Sequence, residues 1–222
     1  MLSEKIEKSC AIIQKGIDKF GSNIGVFFSF GKDSLVCYDL INRYFPELSK
    51  KCFFLAIVPE MDLIKKQLSV FTNHYPDLQF FEYLHFTSLA YLRSGGFCDP
   101  HLEIKASSCK IKATRELIRK DHNIDFLLSG WKQQDSLERM VTLNSYEDQA
   151  ITNYNTVYPV SHWTHQDIML YMKLNKLPIP LKIGSTNMGG LGFDETTYKL
   201  LKSRGYYGDI LKIKKLFPYW TF

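Results

Sequence analysis

Short runs rich in apolar residues recur along the first 130 residues: Asn23 to Phe28 (NIGVFF), Cys52 to Val58 (CFFLAIV), Leu78 to Tyr83 (LQFFEY) and Ile124 to Leu128 (IDFLL). The first two are apolar nearly throughout rather than alternating, as strands buried on both faces are. Between the runs the pattern changes to a helical period. Leu35, Tyr38, Leu40 and Ile41 mark a helix over Asp33 to Tyr44, ended before Pro46, and further helices read over Asp62 to Tyr75 and Ser108 to Lys120. Ahead of the first strand, Ile6, Cys10, Ile13, Ile17 and Phe20 form an apolar stripe that Gly21 stops. Strands alternating with helices predict an α/β fold of the Rossmann-like, doubly wound kind, with a mostly parallel sheet and helices on both faces. In such folds ligands sit beyond the carboxyl ends of the strands.

Past residue 130 the pattern thins. Gly130 to Tyr154 is polar, with Arg139 its only arginine, and reads as an active-site loop or lid; Thr164 to Lys173 reads as a helix; one or two short helices follow around Lys199 and Ile213. The expectation is one domain over 1–222, with its core at about 20–180 and a loop and helical tail over 181–222.

The end of the first strand is the most informative point. In VFFSFGKDSL, from Val26 to Leu35, the apolar run stops at Ser29, crosses Gly31 and Lys32, and restarts on Asp33 and Ser34 at the start of a helix. Accessible backbone amides, two hydroxyls, a cation and a helix dipole are the parts of a phosphate cradle. The alternative is a tight strand-to-helix turn capped by Asp33 or Ser34. The spacing is not that of a Walker loop, because only Gly31 lies near.

Composition narrows the setting. The net charge of +5 suits an anionic small molecule or a modest nucleic-acid surface and demands neither. Five cysteines, none in a C-x-x-C pair, argue for a reducing compartment and against a cysteine-held zinc or iron–sulfur centre. A charged N-terminus and the lack of a membrane-length apolar run lead to the expectation of a cytoplasmic protein with no membrane partner. His162 and His165 flank Trp163 and Thr164 without a third ligand, a weak metal signal.

Ser29-Phe30-Gly31-Lys32-Asp33-Ser34 resembles the SGGKDS pyrophosphate loop of the PP-loop superfamily, the adenine nucleotide alpha hydrolase-like proteins. Gly130-Trp131-Lys132-Gln133-Gln134-Asp135-Ser136-Leu137-Glu138-Arg139 resembles the G-x-R-x-x-E/D-S-x-x-R segment of its phosphoadenosine phosphosulfate (PAPS) reductase branch. Tyr158-Pro159-Val160, Trp163-Thr164 and Asp167-Ile168 resemble that branch's Pro-x-x-x-Trp-Thr-x-x-Asp-Val block, followed by an N-L-P-like turn at Asn175 to Pro178. Ser108-Cys109-Lys110 matches a cysteine-containing helix start.

The resemblance implies a nucleotide-binding enzyme. Foremost is an ATP pyrophosphatase that adenylylates an acceptor and releases pyrophosphate, with ATP (or PAPS) and Mg²⁺ as its small molecules. Ser29, Phe30, Gly31, Lys32, Asp33, Ser34, Gly130, Lys132 and Arg139 would line the nucleotide site. Lys32, Asp33 and Arg139 would act in catalysis, with Asp33 also toward the metal and adenine near Ala56 to Pro59. The acceptor stays open between a nucleic acid and a small molecule, and the N-terminal stripe between a homodimer interface and packing within the chain.

Two other readings stand beside it. One is a PAPS reductase using Cys98, Cys109 or a partner's cysteine; the other is a silent nucleotide-binding module that controls a partner. The departures bear on all three. The chain ends KIKKLFPYWTF without the Glu-Cys-Gly-x-His nucleophile of the thioredoxin-dependent reductases, and its last cysteine is Cys109. The paired cysteines of the cluster-bearing relatives are absent, so no iron–sulfur cluster is expected. Lys132 stands for the usual Arg, and Phe30 for the middle Gly of the loop.

Overall fold

The computed structural model describes residues 1–93, 110–179, 193, 195–220 and 222. Five parallel strands form one sheet: β1 (Ile24–Phe27), β2 (Lys50–Ala56), β3 (Gln79–Leu84), β4 (Phe126–Leu128) and β5 (Thr156–Val157), in the order β3-β2-β1-β4-β5. The described helices are α1 (Leu2–Phe20), α2 (Lys32–Tyr44), α3 (Asp62–His74), α4 (Phe86–Arg93), α5 (Ile111–His122), α6 (Leu137–Asn144), α7 (His165–Leu174), α8 (Glu195–Ser203) and α9 (Tyr207–Leu216).

Alternation along the strands sorts side chains into two cores. Ile24, Val26, Cys52, Phe126, Leu128 and Val157 join the larger one, with α1, α2, α3 and α7. Phe53 and Leu127 join the smaller one with Ile118 of α5, and Phe27 and Phe81 pack against it. Gly25 belongs on that second face, where a Cβ would meet Leu127 and Phe53 side-chain carbons at 2.7 Å. The α/β architecture with helices on both faces is therefore as expected.

The stripe of α1 is used within the chain. Ile12, Ile13 and Ser9 are buried, and a Cβ on Gly16 would stand 3.1 Å from Phe126 and Val157, so α1 lies directly over β4 and β5. The stretch from Gly130 to Tyr154, expected to be an active-site loop or lid, contains α6 and a 3-10 turn over Gln133–Asp135. Ser136 starts α6 by accepting from the Arg139 amide at 3.1 Å, a capping bond that polar composition concealed. β5 and α4 were not expected, and the start of the helix placed at Ser108, with Cys109, lies outside the described residues. None of the described helices is long and apolar enough to cross a membrane.

Candidate functional site

From β1 the chain crosses to β2 on one side, while β4 and β5 lie on the other. The loops leaving β1 and β4 therefore diverge, and the crevice between them is where open parallel sheets bind ligands. The β1 loop is Phe28 to Gly31, and the β4 loop opens with Ser129, Gly130 and Trp131.

Phe30 has φ 57°, in the left-handed region that glycine favours. Its ring is 1% exposed, packed 5.0 Å from Phe54, 5.3 Å from Phe28 and Phe80, and 5.6 Å from Phe71. Phe30 thus keeps the backbone shape a glycine would give and turns its side chain away from the crevice. It is therefore the backbone of Phe30, and not its ring, that lies along the crevice.

Gly31 is the N-cap of α2 with φ −86°, and no side chain caps the helix. Asp33 and Ser34 do not act as caps. Ser34 Oγ instead donates to the Gly31 carbonyl at 2.9 Å and accepts from the Ser29 amide at 3.2 Å, with Ser29 Oγ also 3.2 Å away. The amides of Phe30, Gly31, Lys32 and Asp33 are left without an acceptor among the described residues. Consecutive free amides at the positive end of a thirteen-residue helix are an anion nest.

Gly130 brings the second loop against the first. A Cβ there would lie 2.8 Å from the Asp33 carbonyl carbon, 2.9 Å from Asp33 Cβ and 2.9 Å from the Ser34 amide nitrogen. Two residues on, Lys132 is 1% exposed, with Nζ 2.8 Å from Asp33 Oδ1 and 2.7 Å from Asp135 Oδ1. Lys32 Nζ is 3.0 Å from the other Asp33 oxygen, and Arg139 donates to Asp135 Oδ2 at 2.6 Å. The order Lys32–Asp33–Lys132–Asp135–Arg139 is one chain of alternating charge across both loops.

Within it, Asp33 Oδ1 and Lys132 Nζ meet at angles outside hydrogen-bond geometry, so each keeps unused bonding capacity although buried. Partial burial pushes the Asp135 carboxyl up, but Lys132 and Arg139 outweigh it and the net direction is down. Arg139 also lies 4.9 Å over the Trp131 ring, so it is fixed at the site rather than free on the surface.

The structure thus brings together Ser29, Gly31, Lys32, Asp33, Ser34, Gly130, Lys132 and Arg139. Asp135 was missed, though its spacing from Lys132 and to Arg139 is the i,i+3 and i,i+4 spacing at which helical charges meet. At the end of β2 and just after it, Ala56, Ile57 and Val58 are buried and Pro59 is exposed. Cys37 and Cys52 are fully buried with their thiols pushed up by burial, and Cys10 is shifted the same way. Cys98 and Cys109 lie outside the described residues. His162 faces the Lys5 carbonyl at 3.3 Å, and the His165 amide donates to Gln134. Among the described residues no three His, Cys, Asp or Glu stand in metal-binding proximity.

Residues 23–181 match the phosphoadenosine phosphosulfate reductase domain. Among solved structures, the chain is similar to U34-tRNA thiolase NcsA from Methanococcus maripaludis with its 4Fe–4S cluster, at 16% identity and a TM-score of 0.57, over 97% of this chain and 78% of that one. It is also similar to PAPS reductase from Candida auris in a phosphate complex (12%, TM-score 0.50, 81% and 87%). A third is NH3-dependent NAD synthetase from Campylobacter jejuni (13%, TM-score 0.53, 80% and 74%). No curated protein matches the chain. Identities this low carry the fold alone. They do correct one expectation: the cysteine pattern was read as excluding an iron–sulfur cluster, yet a protein of this same fold carries one, so the exclusion does not hold.

Proposed function

The chain belongs to the phosphoadenosine phosphosulfate reductase domain family, within the PP-loop superfamily, and from that premise we propose that it is an ATP pyrophosphatase that transfers adenylate to an acceptor. The observation that carries the proposal is the run of amides from Phe30 to Asp33, without an acceptor among the described residues, beside a buried lysine that pairs with Asp33 and whose hydrogen-bonding capacity is incompletely used.

The free amides and the Ser29 hydroxyl would hold the outer phosphates, and Lys32 would leave Asp33 to neutralise them. Lys132, already buried between two carboxylates, needs no further desolvation to stabilise charge as pyrophosphate departs. Asp135 would hold Lys132 and Arg139 in place, a positioning role. Asp33 would serve as the carboxylate next to the phosphates. The reductase reading calls on Cys98, Cys109 or a partner's cysteine; the first two lie outside the described residues, and the buried Cys37 and Cys52, whose thiols burial pushes up, add no further candidate. For the silent-module reading the best sequence support is Phe30 in place of the loop's middle Gly, and that ring lies in the core.

The test is a ³¹P NMR product analysis with ATP in magnesium buffer and a panel of acceptors, beside Asp33→Asn. Formation of pyrophosphate and AMP or adenylylated product, reduced about 100-fold or more in the variant, is expected. Release of sulfite from PAPS and a thiol, with ATP untouched, would replace this reading by the reductase.

A further inference from the structure

Arg115, in the first half of α5, is 8% exposed, and its Nε has no acceptor. It makes no ion pair among the described residues. Its guanidinium lies 5.7 Å over the Phe27 ring and 5.3 Å over the Tyr154 ring. Aromatic faces compensate a buried cation in part, but a guanidinium's hydrogen-bonding capacity lies at its edge, and here the edge nitrogen is unpaired.

Three tyrosines stand near it, Tyr154 with its ring against the guanidinium and Tyr146 and Tyr158 next to Tyr154. Tyr158 is fully buried, and its hydroxyl has no partner in good hydrogen-bond geometry, with the Tyr154 hydroxyl its near neighbour. The Tyr146 and Tyr154 hydroxyls are 2.5 Å apart, so one of their two protons is spent between them. Burial pushes the Tyr146 and Tyr158 hydroxyls up, while the Arg115 charge acts in the opposite direction on both, which places the guanidinium within electrostatic reach of both oxygens.

The cluster lies at the carboxyl edge of the sheet, since Phe27 ends β1 and Tyr158 follows β5. It is continuous with the nucleotide crevice: Trp131, beside Gly130, stacks on Tyr158 at 5.5 Å, and Tyr158 stacks on Tyr146 at 6.1 Å.

We propose that Arg115, Tyr158 and the Tyr146–Tyr154 pair form a second oxyanion site that takes a phosphate monoester carried by the acceptor. Naming the ligand as the acceptor rests on the adenylyl-transfer reading above; the site itself does not. The rings on the guanidinium faces leave only edge-on approach, the geometry in which Arg grips an oxyanion. Three donor groups match the three terminal oxygens of a monoester. A diester offers two, and so does a carboxylate.

The experiment follows the Arg Nε–Hε signals of the ¹⁵N-labelled full chain by NMR, with Arg115 assigned by its loss in Arg115→Lys. Methyl phosphate, dimethyl phosphate and acetate are titrated at constant ionic strength. The expected result is a saturable shift of the Arg115 signal with methyl phosphate, weakened about tenfold in Tyr158→Phe, the loss of one charge-assisted hydrogen bond. Tyr158→Phe removes only an oxygen, so it keeps the test readable if Arg115→Lys does not fold.

An Arg115 signal unmoved while the Gly31 amide saturates would overturn the proposal, and so would an equal or stronger response to dimethyl phosphate or acetate. ATP cleavage failing with the Arg115 response intact would sink the adenylyl-transfer reading and leave this site standing. The converse would leave the reading and remove the site.

Discussion

At the scale of single residues, two positions decide whether the β1 and β4 loops form a site. Gly130 has no room for a methyl group, because the atoms it would meet are the backbone and the Asp33 Cβ of the first turn of α2, which cannot rotate away. Gly130→Ala is expected to cost about 1–3 kcal/mol by overpacking. It should weaken nucleotide binding more than its stability loss explains, because the strain enters at Asp33 and Ser34; a urea titration and a nucleotide titration of the same variant measure the two effects. Phe30 is the opposite case. Its positive φ costs about 1 kcal/mol or more, while a buried Phe cut to a small side chain loses about 3–5 kcal/mol. Phe30→Gly should therefore be less stable by about 2–4 kcal/mol, with nucleotide affinity kept within roughly threefold because the backbone shape survives. An affinity gain of tenfold or more would mean that the phenylalanine does restrict the crevice.

At the scale of elements, buried carboxylates tie helices that the chain separates widely. Asp39 of α2 is 1% exposed and accepts from Arg43 at 2.6 Å and from Tyr75 and Tyr171 hydroxyls at 2.8 Å each, joining α2, α3 and α7. Asp209 of α9 accepts from the Asp62 and Leu63 amides at 2.7 and 2.9 Å, supplying α3 with the N-terminal acceptor its own sequence lacks. Asp209→Ala should cost about 1–2 kcal/mol, read as a lower urea midpoint with unchanged slope. A change under about 0.3 kcal/mol would show that water replaces the carboxylate. These contacts were not legible in the sequence, because nothing local to Asp39 or Asp209 marks partners tens of residues away. The first four strands were legible because apolar runs between helical segments have few other solutions. β5 is two residues long, and α6 turns Leu137 and Val141 to solvent, so neither carries a periodic signal. The β1 loop was legible as a motif. Its free amides and the buried state of Lys132 are tertiary facts, as is Arg115, whose neighbours Phe27 and Tyr154 come from either side of it in the chain.

At the scale of the whole molecule, α1 precedes the family-matching residues 23–181 and is held by contacts to the segment after β5. Ser9 donates to the Pro159 carbonyl at 2.7 Å and accepts from Trp163 Nε1 at 2.9 Å, and Lys5 pairs with Asp167. Beneath this junction His162 is lowered from 6.5 to about 4, first by burial and then by the Lys8 charge. The unfolded chain therefore takes up a proton on this residue at a pH where the folded chain does not. Stability is fully present above about pH 6.5, falls as the pH drops through the window from 6.5 to 4, and levels off below it as far as this group is concerned. Burial raises the Asp167 carboxyl, but Lys5 and Thr164 outweigh it and bring it from 3.8 to about 2, so its contribution is lost only below pH 4 and the windows do not overlap. His162→Gln should thus flatten the fall in Tm between pH 6.5 and 4 and leave the steeper loss below pH 4 in place. Thermal melts of both proteins across pH 3 to 8 check this. An unchanged slope between 6.5 and 4 would mean that His162 charges without disturbing α1, and that the buried stripe, Ser9 and Lys5 hold the helix without it.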